Sequence, residues 1–345
     1  MGVIPLVVGG HIPVVSIVIA AHNREILLPR CLEALERSVV QPLECIVVDD
    51  GSTDQSAEIA SQYGARVVAT GSQCGPAHAR NLGVSAARGD VILFLDSDVC
   101  VHPDTIGRIL RRFEDDQSLS AIIGAYDDVP DVANFCSQYR NLLHCYTHRA
   151  AKREASTFWS GCGAVRRASF LDVGGFDPSY ERPAVEDIEF GARLIAAGGK
   201  ILLDPEVQVK HLKGWTFWNM IRTDVLDRGI PWSALILRSG SMPDDLNVRW
   251  SQRISVALTG LLIGLAVLGH AAAGAVCFLV LLATNAPFYQ FLTSRRGAWF
   301  AARAIPVHVA FFICCGISFT AAVAGHAVFA VRQMVGAAPK PRFLD

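Results

Sequence analysis

Three short acidic clusters carry the chain's capacity for chemistry: Asp49-Asp50, Asp96-Ser97-Asp98 and Glu186-Asp187. The first two each follow a short aliphatic run, residues 45–48 and 91–95, which reads as a strand buried on both faces. Each carboxylate pair is therefore expected at the carboxyl end of a strand. A D-x-D in that position can hold a divalent cation against a diphosphate. Carboxylate oxygens suit Mg2+ or Mn2+, and Mg2+ keeps several positions for water and phosphate oxygens. Aspartate is common in loops, so the weight of the motif comes from its place after Val-Ile-Leu-Phe-Leu.

The elements that must position these groups follow from periodicity. Residues 14–20 form a β-branched run suited to a buried strand. Residues 26–38 have helical spacing, with Leu27, Cys31, Leu35 and Val39 near one face, and Pro42 follows. Helices are expected over 53–63, closed by Gly64, and over 76–87 and 103–113; further strands are expected at 66–69 and 121–125. Strands alternating with helices of this length give βαβ units, and hence an α/β, Rossmann-like, mainly parallel sheet. Ligands bind such sheets outside the carboxyl ends of the strands, where both aspartate clusters lie. Beyond residue 130 the alternation weakens. A helix is expected at 134–148, another at 186–197 with acids in its first turn, and short strands at 201–203 and 207–209.

Composition sets the rest of the chain apart. The 345 residues are 51% hydrophobic and only 18% charged, with a mean hydropathy of +0.34, which points to membrane association. The apolar content excludes disorder, and a net charge of −1 argues against a nucleic-acid partner. The ten cysteines show no C-x-x-C pair and read as reduced thiols. Residues 1–13 read as a tail without a cleaved signal peptide. No Asp, Glu, Lys or Arg occurs between Arg253 and Arg295. Membrane helices are expected at about 254–270, 273–292 and 304–330, with a turn near 270–274; the third run, with His308 and His326, could also be re-entrant or lie along the interface. Arg295, Arg296 and Arg303 place the loop before it in the cytosol by the positive-inside rule, against which Arg332 and, in the 333–345 tail, Lys340 and Arg342 conflict. The expectation is a multi-pass cell-membrane protein with a cytosolic N-terminal domain over 14–212. Residues 213–250, which interleave Trp215, Trp218 and Trp232 with Arg222, Arg228 and Arg238, read as an interfacial segment or a packed flap before the membrane region 251–332.

Taken in order, VSIVIAAHN, IVVDDGSTD, GPAHARNLG, VILFLDSD, GGFD and Glu186-Asp187 resemble a family 2 inverting glycosyltransferase with the GT-A fold, over about residues 14–212. The resemblance implies a UDP- or GDP-sugar donor, a bound Mg2+ or Mn2+, and inversion at the anomeric carbon. By position it implies that Ala20 and His22 hold base and ribose, that Asp50 reads the nucleobase edge, that Asp96 contacts ribose and a metal-bound water, and that Asp98 ligates the metal. It implies Asp187 as general base with Glu186 beside it, Arg80 on the donor side, and His211 as a late metal or phosphate contact. A carboxylate within hydrogen-bond reach of an acceptor hydroxyl fits this chemistry, as does a cation at the leaving diphosphate.

Plainer readings stand beside these roles: Asp49 as a loop cap, Glu186 as a helix-start acid, Arg80 and Asn81 as packing or loop-bonding groups, residues 161–163 as a tight turn, and His211 as a strand-end histidine. Arg249-Trp250 is preceded by Leu246 where processive relatives have Gln, so a single addition is expected. The acceptor expected is lipid-linked, contacted by Arg222, Arg228 and Trp232, because the apolar spans follow directly. The rivals are a soluble or protein acceptor with the helices as anchor, and a catalytically silent membrane scaffold. A dinucleotide-dependent dehydrogenase fails because the first strand ends in Ala21-His22-Asn23 rather than G-x-G-x-x-G.

Overall fold

A computed structural model describes residues 13–334, with side chains to residue 328. The tails at 1–12 and 335–345, with Lys340 and Arg342, lie outside the described residues, as does the side chain of Arg332. The chain divides into two compact units, one made of the residues up to Ala125 with Arg153–Glu181 and Asp187–Leu212, the other of Tyr126–Lys152, Arg182–Glu186 and the residues from Lys213 on.

The first unit is built on β1 (Val15–Ala21), α1 (Leu28–Glu36), β2 (Glu44–Asp49), α2 (Ser56–Gln62), β3 (Arg66–Ala69), α3 (Pro76–Ala86), β4 (Val91–Asp96), β5 (Val99–Val101), α4 (Thr105–Asp115) and β6 (Ala121–Tyr126). After α5 (Phe135–Arg149), which groups with the second unit, come β7 (Cys162–Arg166), α6 (Arg167–Asp172), α7 (Glu186–Ala196) and β8 (Ile201–His211). One eight-stranded sheet has the order β3-β2-β1-β4-β7-β6-β8-β5. Its first four strands are parallel, as the alternation predicts; β7 runs antiparallel to β4 and β6, and β5 antiparallel to β8. The parallel register sets Ala20 opposite both Val48 and Asp96, so β1, β2 and β4 finish together on one edge. Behind β4 and β7, the rings of Phe94, Phe158, Phe170, Phe176 and Phe190 pack at centroid distances of 5.0–6.4 Å, all of them fully buried.

Three strands depart from expectation, and the short helix α6 is an addition to it. The two short strands after residue 200 are one strand, β8, that continues through Pro205. The buried Asp204 carboxylate makes this possible, because it accepts from Glu206 N at 3.1 Å and is bound by Arg112 and Arg153. Strand β5 went unread because it is three residues long, and β7 because Gly163 interrupts its apolar run.

The second unit adds α8 (Phe217–Arg222), a π-helical turn (Thr223–Gly229), α9 (Ile230–Ser239), α10 (Trp250–Val267), α11 (Ala271–Thr284), α12 (Ala286–Arg296) and α13 (Ala298–Met334). Its core gathers Tyr139, Leu142 and Leu143 of α5, Trp215, Met220, Phe288 and Leu292 of α12, and Ala301 and Ala304 of α13. Among the described residues two helices, Trp250–Val267 and Ala298–Val328, are long and apolar enough to cross a membrane, and a third crossing is added if the bent pair α11–α12 counts as one. The bend of 63° falls inside the expected second span. Pro287 lacks the N–H that a continuous helix needs, and Asn285, 5% exposed, ties the break to α10 through Ser255 Oγ at 2.9 Å. The third run is one unbroken helix despite Pro306.

Candidate active site

Asp50 lies one residue past β2 and is 4% exposed. Its Oδ1 accepts from Cys74 N at 2.8 Å and Thr70 Oγ1 at 3.2 Å, and its Oδ2 from Gly75 N at 2.9 Å. The amides that open α3 thus fix the carboxylate of β2, the pairing that a helix N-terminus favours. Gly51 has φ +69°, and a Cβ there would fall 2.6 Å from Gln73 N, so only glycine lets the 72–74 loop close over this carboxylate. His22 Nδ1 sits 2.9 Å from Asp50 O, which sets the Nδ1–H tautomer because a carbonyl only accepts. Asn23, at φ 52°, holds the next turn through Thr53 N to Oδ1 at 2.8 Å. Asp49 caps the loop by accepting from Ser52 N at 3.1 Å.

Asp96 ends β4, and its carboxylate pairs with Arg80 Nη2 at 2.9 Å. The guanidinium is nearly buried and also lies 5.8 Å from the centre of the Phe176 ring. Asp98, between β4 and β5, is 9% exposed and has His211 Nε2 4.0 Å from its Oδ1. That proximity follows from the antiparallel pairing that sets His211 opposite Val99, with Leu212 N donating to Asp98 O at 2.9 Å. Behind this edge, burial first and Asp96 second push the Cys162 thiol up to about 12, so it stays protonated. All ten cysteines are free thiols.

Asp187 opens α7, and its Oδ2 accepts from both the amide and the hydroxyl of Ser160, at 3.0 and 3.1 Å. The next residue, Gly161, presents its carbonyl to Asp96 N at 3.4 Å. Residues 160–161 therefore join the Asp187 carboxylate to the strand end that carries Asp96. Sequence reasoning did not single out Ser160; its only signal was its place before Gly-Cys-Gly. Glu186 turns back to Ala184 N at 2.9 Å, which is the geometry of a helix-start cap.

Arg222 and Arg228 are exposed in the second unit, and Trp232 is partly covered on α9. The loop arginines expected to mark a cytosolic face are engaged in part: Arg295 pairs with Asp128 at 3.1 Å, and Arg296 donates to Gln138 Oε1 and Asp128 O.

Among the described residues no group of three or more His, Cys, Asp and Glu side chains forms a closed metal site. The Asp98 carboxylate and His211 imidazole nevertheless supply an oxygen and a nitrogen on one edge. Such a pair fits a cation that takes its other ligands from water and a diphosphate.

Residues 16–174 match the glycosyl transferase family 2, and residues 140–213 match the N-terminal domain of galactosyltransferase. Validoxylamine A glucosyltransferase of Streptomyces hygroscopicus subsp. limoneus is 27% identical over 54% of this chain and 49% of its own. The succinoglycan biosynthesis protein ExoO of Rhizobium meliloti is 26% identical over 66% of this chain and 69% of its own. The chain spans about a third of the length of several other curated relatives. The fold matches a mannosyltransferase, PcManGT from Pyrobaculum calidifontis, solved with GDP-Man and Mn2+, at a TM-score of 0.56 and 18% identity over 90% of this chain and 88% of that one. Residues 16–174 are therefore a family 2 glycosyl transferase domain on a GT-A scaffold.

Proposed function

We propose that the chain transfers one sugar, with inversion, from a UDP- or GDP-sugar to the hydroxyl of a lipid-linked acceptor at the cytosolic face of a membrane. The observation that carries the reading is the single edge where β1, β2 and β4 finish, with Asp50 just past β2, Asp96 at the end of β4 and Asp98 two residues on, and with Asp187 tied to it through Ser160-Gly161. In this reading residues 14–212 are catalytic, 213–250 interfacial and 251–332 membrane-embedded.

Ala20, His22 and Asp50 hold the nucleoside, Asp50 as acceptor for a base N–H, and Asp96, oriented by Arg80, meets the ribose. Asp98 and His211 would hold Mg2+ or Mn2+, which neutralises charge on the leaving diphosphate when bound. Asp187 takes the proton of the acceptor hydroxyl as the new C–O bond forms. The bond from the anomeric carbon to the phosphate oxygen breaks with its electron pair leaving on the nucleoside diphosphate, so attack from the opposite face inverts the centre. Glu186 supports the start of the helix that carries Asp187. Arg222, Arg228 and Trp232 serve the acceptor: guanidinium groups suit a headgroup phosphate, and an indole suits the interfacial level.

The test is a screen of UDP- and GDP-sugars with the full chain in detergent, with Mn2+, with Mg2+ and with chelator, reading nucleoside diphosphate release. Metal-dependent turnover of at least one donor is expected. A fragment ending near residue 245 should retain that release but lose transfer to a polyprenyl-phosphate acceptor. Full lipid transfer by the fragment would return the helices to a simple anchor, and turnover of no donor would overturn the reading.

A further inference from the structure

Residues 173–177, Val-Gly-Gly-Phe-Asp, form the turn after α6, and two helices grip it. From α3, Asn81 spends its whole carboxamide on one residue: Oδ1 accepts from Phe176 N at 2.9 Å and Nδ2 donates to Phe176 O at 2.7 Å. From α7, the Arg193 guanidinium donates to Val173 O and, at 2.6 Å, to Gly175 O. Glu189, one turn earlier on α7, holds that guanidinium at 2.5 and 2.7 Å. The turn is shaped for this grip. Gly175 has φ +71°, and a Cβ there would fall 2.7 Å from Asn81 Oδ1.

The third attachment is the Phe176 ring. It is fully buried, with its centroid 5.2 Å from that of Phe94 on β4, and Arg80 spans from this ring to the Asp96 carboxylate. Phe176 is thus fixed to the strand of Asp96 by its side chain and to α3 by its backbone, while its neighbours are fixed to α7, the helix whose first turn carries Asp187. A carboxamide paired with both the N–H and the C=O of one residue, and a guanidinium forked over two carbonyls, are rigid links rather than surface decoration.

We propose that Asn81 and Arg193 are positioning residues: through the 173–177 turn they set where Asp187 stands relative to Asp96 and Asp98. The inference rests on the reading of Asp187 as general base. Misplacing a reacting group by about 1 Å costs on the order of 100-fold in rate, so loss of either link is expected to lower turnover without loosening the nucleotide.

The experiment is a double-mutant cycle on the full chain in detergent, reading Mn2+-dependent release of UDP or GDP from UDP-glucose or GDP-mannose, with calorimetric binding of UDP or GDP alongside. Asn81→Ala is expected to lower kcat roughly 10- to 100-fold with donor KM and nucleotide affinity within about twofold of the parent. In an Asp187→Asn background the same substitution should cost less than about threefold, because its route to the reaction is already cut. Arg193→Lys, which keeps the charge but not the fork, provides a milder arm should Asn81→Ala not fold, and the same non-additivity is expected of it. Equal losses in both backgrounds, or a parallel loss of nucleotide affinity, would overturn the inference and leave these residues merely structural. Asp187→Asn without effect would instead remove the base assignment on which the inference stands.

Discussion

The two units bury polar groups for different ends. In the first, the carboxylates at the sheet edge are held by backbone amides and short side chains: Asp50 by Cys74 and Gly75, Asp187 by Ser160. Those contacts reach across 24 to 27 residues of sequence and fix each carboxylate where it stands. In the second, buried polar groups lock helix to helix. Arg140 of α5 pairs with Asp224 of the π-helical turn at 2.6 Å, both side chains about nine-tenths buried, and Asn285 bonds Ser255 across two helices. Backbone amides thus hold much of the acidic edge of the first unit, with Arg80 on Asp96 as the side-chain exception, whereas side chains hold the buried polar groups of the second. The π-helical turn fits the second pattern, since it sets Asp224 against α5.

Substitutions can break that distinction. Asp98→Asn keeps the shape and removes the charge. It should reduce Mn2+-dependent donor turnover to background while the unfolding temperature stays near that of the parent; half-parental turnover that survives chelation would remove Asp98 from the metal. Arg140→Met should do the reverse. An Asp224 carboxylate left buried and unpaired destabilises by about 3–5 kcal/mol, whereas Arg140→Met with Asp224→Leu should recover much of that loss. Thermal unfolding in detergent reads both, and equal destabilisation by the single and double variants would show that the pair does not act as a pair.

Asp187→Asn should lower kcat by about 100-fold, the scale of a general base, with nucleotide binding unchanged by calorimetry. A parallel loss of nucleotide affinity would make Asp187 a donor contact instead. The smallest effect concerns acid. Burial raises the Asp204 carboxyl, but the hydrogen bonds and charges of Arg112, Arg153 and Glu206 N outweigh it and hold the group below its ordinary value. A lowered folded-state pKa contributes stability that is present above the unfolded value, about 3.9, and is lost as pH falls through the folded value below it. Asp204→Asn should therefore be less stable than the parent near neutrality and converge with it in acid; a constant difference from pH 7 to 2 would exclude the ionised carboxylate as the source.

What could be read without coordinates follows the same line. Asp50, Asp96 and Asp98 announce themselves because each follows an aliphatic run, and the parallel register then aligns the runs. His211 was legible only as a position; its approach to Asp98 depends on β5, whose three residues show no period. Ser160 was invisible because its partner is 27 residues away, and Arg193 showed only its one-turn pairing with Glu189, while the carbonyls it holds lie 18 to 20 residues away. The Asn285-Ala286-Pro287 sequence did carry the signal for the break in the second apolar run, but the absence of charge across that run masked it.

The break has a consequence for the lipid around the protein. Helix α11 has 14 residues, about 21 Å at 1.5 Å per residue, against a hydrocarbon thickness of about 30 Å. Because Asn285 fixes its C-terminal end against α10, the helix cannot lengthen by running on into α12. In the proposed membrane-embedded arrangement the mismatch would fall on the bilayer, which would thin beside α11 or let headgroups sink toward Asn285. Acyl-chain length would then become a thermodynamic variable of this protein: short-chain lipids would match the helix as it is, and each added methylene would deepen the local dimple the membrane has to form.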